Sequence, residues 1–384
     1  MLKCAVGHSD DIDTNDAVIE ALEMCEKALD GLTPKAALVY AGIDYNHEEM
    51  IRLIVEKYPG IVLSGCTTDG EFSSQKTFTP ESILIVLFAS DTIQFRSGIG
   101  VGISIDPKIA TLEAIQKSKL DDLTPSLIAM ASDGLTGSGD AVIRGLTSAL
   151  PPNVPIVGGA AGDKRRIKYT VQFHESGIQK DSVTLLAFYG DLNISFGVES
   201  GWESLGKRVL VTKSDGHVVK EIDNKTALEF YKNYMGEYVR GSILPAYPLG
   251  VWPSNGDPFY VRSPIFIDEN SGTVIFSGEV REGDEVQMMQ VDRPNIIKGA
   301  KASIAKAMSS FPGEKPSMVF SISCTTRNEM LGTKVFEEAK IVQEGAGLVP
   351  VFGFYAYGEY SPIRLNQSSR FHNETCITVA IGEK

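Results

Sequence analysis

The chain has 384 residues, 43 % hydrophobic and 22 % charged, so it can bury more than one core and suits two domains. A net charge of −13 argues against a nucleic-acid partner, because neutralising phosphates needs a basic face. No apolar run approaches the roughly 18–20 residues of a membrane span, and the opening MLKCAVGHSDDID has no apolar signal segment; a cytoplasmic location with no membrane partner is expected.

In chain order, DAVIEALEMCEKAL (16–29) places apolar side chains at helical spacing and closes near Gly31. A pattern then recurs three times: apolar strand, helix, second apolar strand ending in glycine with an acid close behind. The first copy runs AALVYAG (36–42), a helix near 48–58, then GIVLSGCTTDGE (60–71). The second runs SLIAMAS (126–132), a helix near 140–150, then VPIVGGAAGD (154–163). The third runs SMVFSIS (317–323), a helix near 334–343, then LVPVFGFYAYGE (348–359). Copies one and three share the spacing Gly65-x4-Gly70-Glu71 and Gly353-x4-Gly358-Glu359. Each copy leads to an acid, a hydroxyl residue and another strand, at Glu81-Ser82, Asp181-Ser182 and Glu374-Thr375.

Between the second and third copies, two strands meeting at Asp191-Leu192 read as a hairpin, and 206–222 as another with its turn at Ser214-Asp215-Gly216. Near residue 220 the texture changes. DNKTALEFYKNYMGE reads as a helix capped by Asp223 or Asn224, followed by a proline-rich tract, alternating strands and the helix NIIKGAKASIAKAMSSF. The expected fold is α/β, with mixed sheets built from pseudo-repeated β-α-β-β units in two closely packed domains, 1–220 and 221–384.

Five cysteines without a CxxC pair and five histidines without HxH or HExxH spacing give no basis for a metal site or cofactor. In open α/β sheets, ligands sit beyond the carboxyl ends of the strands, and glycine there permits a sharp turn or close approach. Gly65 and Gly353 are therefore candidate site residues.

The chain resembles the FIST family (F-box and intracellular signal transduction), with its N-terminal and C-terminal domains in order. The resemblance rests on GCTTDGE (65–71), DGLTGSG (133–139), VPIVGGAAGD (154–163), VTKSDG (211–216) and EIDNKTALEFY (221–231). FSISCTTR (320–327), GFYAYGEYSP (353–362) and FHNET (371–375) extend it to nearly the whole chain. It implies a sensory module that binds small ligands, amino acids among them. The chain leaves no room for a signal-output domain beside these two, so output is expected from a separate protein.

The constellations give candidate roles. Glu71 and Glu359 either face a shared pocket and meet an ammonium group or cap backbone N–H groups in their own turns. Arg327 either holds a ligand carboxylate or pairs with Glu71 or Glu359. The glycine-rich loop 132–140 is a second carboxylate candidate, or only a helix N-cap at Ser138 or Asp140. Cys324, Tyr355 and Tyr357 would line the pocket, with no catalytic residue assigned. Two alternatives stand beside this sensor: a hydrolase using Cys324 or Cys66 with His372, and an interaction scaffold without a ligand.

Overall fold

The computed structural model describes residues 2–239 and 244–384. It is a mixed α/β fold of three six-stranded sheets and one further sheet. In space the first sheet runs Lys3–Ser9, Ile83–Ala89, Ala36–Ala41, Val62–Thr67, Gln172–His174, Gly177–Gln179. The second runs Gln94–Val101, Ser182–Tyr189, Leu127–Ser132, Ile156–Ala160, Glu359–Ser361, Arg370–His372, and the third Leu192–Glu199, Cys376–Glu383, Met318–Cys324, Val351–Ala356, Glu71–Ser73, Phe78–Thr79. Within each, the two repeat strands pair in parallel and the remaining pairs are antiparallel.

The order discloses a repeat larger than the sequence pattern. Each unit (3–89, 94–189 and 192–383) opens with an additional strand and helix, and each lends the hairpin after its glycine turn to another unit's sheet. The first unit's hairpin completes the third sheet, the second's the first, and the third's the second. The exchange closes on itself. Strands such as Ala36–Ala41 and Ile83–Ala89 are buried on both faces, which explains their unbroken apolar runs. One face of each six-stranded sheet joins a shared central core in which Tyr40 stacks on Phe354 at 4.2 Å and Phe320 on Phe352 at 4.7 Å.

The other face lies under helices. Thr14–Leu29 is capped by Asp13, ends at left-handed Asp30, and presents Ala17, Val18, Ala21, Leu22, Cys25 and Leu29 to its sheet. The fourth sheet is inserted in the third unit, between its first strand and the helix Arg293–Ser309. Residue 220 lies in that sheet's strand Val218–Ile222, and segments from either side of it share sheets.

Two local expectations are corrected. Ser182–Tyr189 and Leu192–Glu199 form no hairpin: the former pairs with Gln94–Val101 and Leu127–Ser132, the latter with Cys376–Glu383. The chain crosses between units there. The helix Ala227–Met235 is capped by Thr226 in a reciprocal box with Glu229, while Asp223 and Asn224 occupy left-handed turn positions. The hairpin turning at 214–216 is present, with Asp215 opposite Val218.

Candidate functional site

The three glycine turns converge. Thr67 donates its N–H to Val171 O (2.9 Å), Ala160 to Gly358 O (2.8 Å) and Tyr355 to Gly70 O (2.9 Å). A second set runs alongside: Gly162 to Thr67 O (2.9 Å), Tyr357 to Ala160 O (2.9 Å) and Asp69 to Tyr355 O (3.0 Å). These six bonds form a closed ring in which Thr67, Ala160 and Tyr355 are equivalent positions. They use backbone groups that strand ends would otherwise leave unpaired.

Around the ring, each unit binds an acid or amide to the hydroxyl that precedes its last strand. Glu71 accepts from Ser82 and from Thr68. Gln172 accepts from Ser182 (2.8 Å) and donates to Thr170 (3.2 Å). Glu359 accepts from the Thr375 hydroxyl (2.6 Å) and N–H (3.2 Å), but its other oxygen has no partner. Burial pushes the Glu71 carboxyl up to about 7 against the pull of Ser82 and Thr68. It pushes Glu359 up to about 8, with Thr375 opposing.

Relative to the other two units, the second carries an insertion between its turn and hairpin, residues 163–170, and this loop spans the corners. Lys164, Arg165 and Ile167 are left-handed, an unfavourable conformation for such side chains. The Asp163 carboxylate holds the loop by accepting from Ile167, Lys168 and Tyr169 N–H. Lys164 reaches Glu81 and Asp44, Arg166 binds both Asp44 oxygens, and Arg165 pairs with Glu329 of the third unit. Lys164 N–H also donates to buried Asp69 (2.7 Å), whose carboxyl burial raises to about 6. Beside the ring a cavity of about 360 Å³ is walled by Ile12, Tyr45 and Pro80, with Thr79 and the carboxylates Asp10, Asp44 and Glu81.

The sequence-derived candidates divide. Arg327 is fully buried and committed inward. It donates to Glu338 from Nε (2.9 Å) and Nη2 (2.5 Å), to Ser323 (3.2 Å), and to the carbonyls of Ile296 (2.9 Å) and Ser200. Its carboxylate is Glu338, not Glu71 or Glu359, and four of its five N–H donors are bound inside the fold. The hydroxyl of Tyr355 donates to the same Glu338 (2.6 Å), so this tyrosine belongs to the ion-pair cluster. Tyr357 does lie at the ring, donating to Asp163 (2.5 Å) and accepting from Arg165 N–H (2.6 Å).

Gly65 and Gly353 are strand residues. A Cβ on Gly65 would stand 1.7 Å from Val39 O, and one on Gly353 2.2 Å from Ser321 O and 2.4 Å from the Phe72 ring. Interstrand packing, rather than ligand approach, excludes a side chain there. The 132–140 loop is an N-cap: Ser138 accepts from Ala141, and the Asp133 carboxylate binds the Leu135, Thr136 and Asp181 N–H groups. Cys66 and Cys324 are buried, and burial beside carboxylates raises both thiols, the reverse of nucleophile activation. His372 donates Nε2–H to the Ser361 carbonyl (2.9 Å) and is pushed down to about 4 by burial.

Sequence reasoning missed Asp69, Glu338, Lys164 and Glu374. The last two are readable in part, since the insertion makes the second turn longer than the others and Glu374 leads into a strand as Glu81 and Asp181 do.

Residues 35–225 match the FIST N domain and residues 227–362 the FIST C domain. The chain belongs to the FIST family. FIST domains are signal-transduction sensor domains. An uncharacterised protein of Methanocaldococcus jannaschii is 26 % identical over 363 residues, 84 % of this FIST chain and 68 % of that protein. An uncharacterised protein of Mycobacterium tuberculosis is 21 % identical over 381 residues, 94 % and 95 % of the two chains. Among solved structures, a cyanuric acid hydrolase from A. caulinodans aligns over the whole of both chains with a TM-score of 0.40 and 9 % identity. Among the described residues of the FIST chain, no helix is long and apolar enough to cross a membrane.

Proposed function

We propose that this FIST chain is a cytoplasmic sensor that binds a small ligand, an amino acid in the first instance, on the strand-end face and signals through a separate output protein. The observation that carries this reading is the cavity of about 360 Å³ beside the ring of turns. Its size and its few polar groups on an apolar wall are those of a small-molecule site. Lys164 seats its ammonium on Glu81 and Asp44 at the cavity's edge. A ligand ammonium would take that seat, and the displaced Lys164 with Arg166 would meet the ligand carboxylate. Glu71, Glu359, Cys324 and Tyr357 then shape the face from beneath, while Gly65, Gly353, Tyr355 and Arg327 hold its frame.

The test is thermal unfolding of the full chain across a panel of amino acids, simple amines and small carboxylates. A ligand at a hundred times its Kd adds about 2.7 kcal/mol. The expected result is a dose-dependent rise for one class, lost in Glu81→Gln and altered in Lys164→Ala. No rise with any compound, or a rise that both variants retain, overturns the assignment and leaves the scaffold as the better reading.

A further inference from the structure

The three corners of the ring are built alike, and only one leaves its polar atoms without partners. At the first corner Glu81 is paired with Lys164. At the second, the equivalent Asp181 accepts from Ser104 N–H (2.8 Å), the Ser104 hydroxyl (2.7 Å) and the Thr136 hydroxyl (2.9 Å). At the third, the equivalent Glu374 is fully buried at a left-handed position, and neither of its oxygens has a hydrogen-bond partner. The hydroxyls of Ser263 and Thr326 approach it and favour its charged form without reaching hydrogen-bond geometry. Beside it, Glu359 lacks the hydroxyl that Thr68 gives Glu71, because Ala356 occupies the equivalent position.

Three more buried groups share this condition. Asn373 leaves both amide atoms unpartnered, and Ser361, two residues along the strand from Glu359, leaves its hydroxyl so. The Thr325 hydroxyl faces Asp69 outside bonding geometry. Native interiors hold very few such atoms. Here Glu359, Glu374 and Asn373 stand at one corner with Ser361 on the adjoining strand, and acceptors exceed donors, while Thr325 stands toward Asp69. The nearby cations do not balance them: Arg327 is held by Glu338, and Arg262 by Asp140 and backbone carbonyls. Two buried carboxyl groups therefore stand together, raised by burial, with no ion pair of their own among the described residues; Arg327 favours the charged form of Glu374 only from a distance, its guanidinium being bound to Glu338.

We propose that this corner, formed by Glu359, Glu374, Asn373 and Ser361, is a binding site for an ammonium group. Three or four N–H donors on one positive centre satisfy separated acceptors and neutralise the carboxylates together. A ligand carboxylate or phosphate would instead add charge of the same sign. The site lies one residue layer below the surface, under half-buried Thr326, Asn328 and Glu329 at the start of the helix Thr325–Leu331. Ser263 brings the fourth sheet to its edge, so an occupant touches the seam between that sheet and the third unit. This corner is distinct from the cavity at Glu81 and does not depend on that cavity's ligand.

The experiment uses the full chain at constant ionic strength and pH 7.5, with thermal unfolding in ammonium and methylammonium chloride. Sodium, potassium, calcium and tetramethylammonium chloride serve as comparisons. Ammonium and methylammonium should give a saturable rise of about 3 °C at a hundred-fold excess over Kd, lost in Glu359→Gln and Glu374→Gln and kept in Glu81→Gln. Tetramethylammonium, which has no N–H, should give none. Longer primary amines distinguish the free ion from an amine terminus as the natural occupant. An equal response to potassium, sodium or calcium overturns the ammonium assignment, and a response retained in both variants overturns the location. No saturable response to any cation makes the corner a proton-sharing acid pair. Should either variant fail to fold, 15N-labelled ammonium with the unaltered chain decides: a slowly exchanging bound NMR signal is expected, and its absence overturns the proposal.

Discussion

Replacing Glu338 by alanine tests the reassignment of Arg327 from ligand contact to framework. Glu338 is 1 % exposed and takes two guanidinium bonds from Arg327 and one from Tyr355. Glu338→Ala leaves a buried cation with only Ser323 and two carbonyls, and leaves the tyrosine hydroxyl without its acceptor. Breaking a buried pair from one side costs about 3–5 kcal/mol. At about 2.1 cal/mol/K per residue, unfolding 384 residues as a unit carries an entropy of roughly 0.8 kcal/mol/K. The calorimetric midpoint should therefore fall by about 4–6 °C. Because the apolar double replacement Arg327→Met with Glu338→Leu leaves no unpaired charge, it should recover most of that loss. A fall below about 1 °C, or a double variant no more stable than the single, refutes the reasoning. So does an Arg327→Ala chain that keeps its midpoint and loses ligand binding.

Four shorter predictions follow from the same contacts. Glu359 and Glu374, raised to about 8, and Glu71, raised to about 7, hold protons in the fold that the unfolded chain releases near 4.5. Their stabilisation is full below about pH 4.5 and is lost as pH rises through 7–8. Glu374→Gln should flatten that decline in urea midpoints between pH 5 and 8.5, and an unchanged slope would contradict the burial argument. His8 and His372, lowered to about 3 and 4, act oppositely below pH 6.5, so the comparison is variant against unaltered chain. Ala356→Ser offers Glu359 the hydroxyl that Thr68 gives Glu71. It should stabilise by about 1 kcal/mol and weaken the ammonium response, whereas a lower midpoint would break the equivalence of the corners. Gly65→Ala should lower the midpoint by several degrees or prevent folding, and a neutral effect would mean that the strands can separate around the added carbon. Native Cys66 and Cys324 should react with a disulfide reagent at pH 7.5 only as fast as the chain opens, while rapid labelling of Cys324 would restore the hydrolase reading.

The repeat was legible because three buried strands ending in glycine write the same local pattern. Its full extent was not. Glu71–Ser73 pairs with Val351–Ala356, nearly the whole chain away, and no local periodicity names a partner strand. The false hairpin at Asp191-Leu192 has the same origin, since adjacent strands pair often but these two begin different units. Arg327 was visible as a strand-end cation. Its direction depended on Glu338, eleven residues on and brought against it by the following helix Val335–Ala346. Glu71 and Glu359 are legible in the sequence as acids that follow strand-end glycines. That their partners would be the hydroxyls of Ser82 and Thr375 required the ring itself.

The cyclic exchange of hairpins bears on how such a face could report an occupant. Each corner joins two units: Glu71–Ser73 lies in the third sheet while its partner Ser82 precedes a strand of the first. An occupant at any corner therefore bears on two units at once, and the six backbone bonds of the ring resist independent movement of the third. The corners have diverged in how they balance charge. The first uses a loop lysine, the second replaces its glutamate by Gln172 and surrounds Asp181 with donors, and the third keeps two acids with no ion pair among the described residues. Symmetry alone would predict three equal corners. Departure from it at the seam with the fourth sheet sets two unpaired buried acids beside the one part of the fold that the other units do not repeat, a sheet with a hydrophobic core of its own.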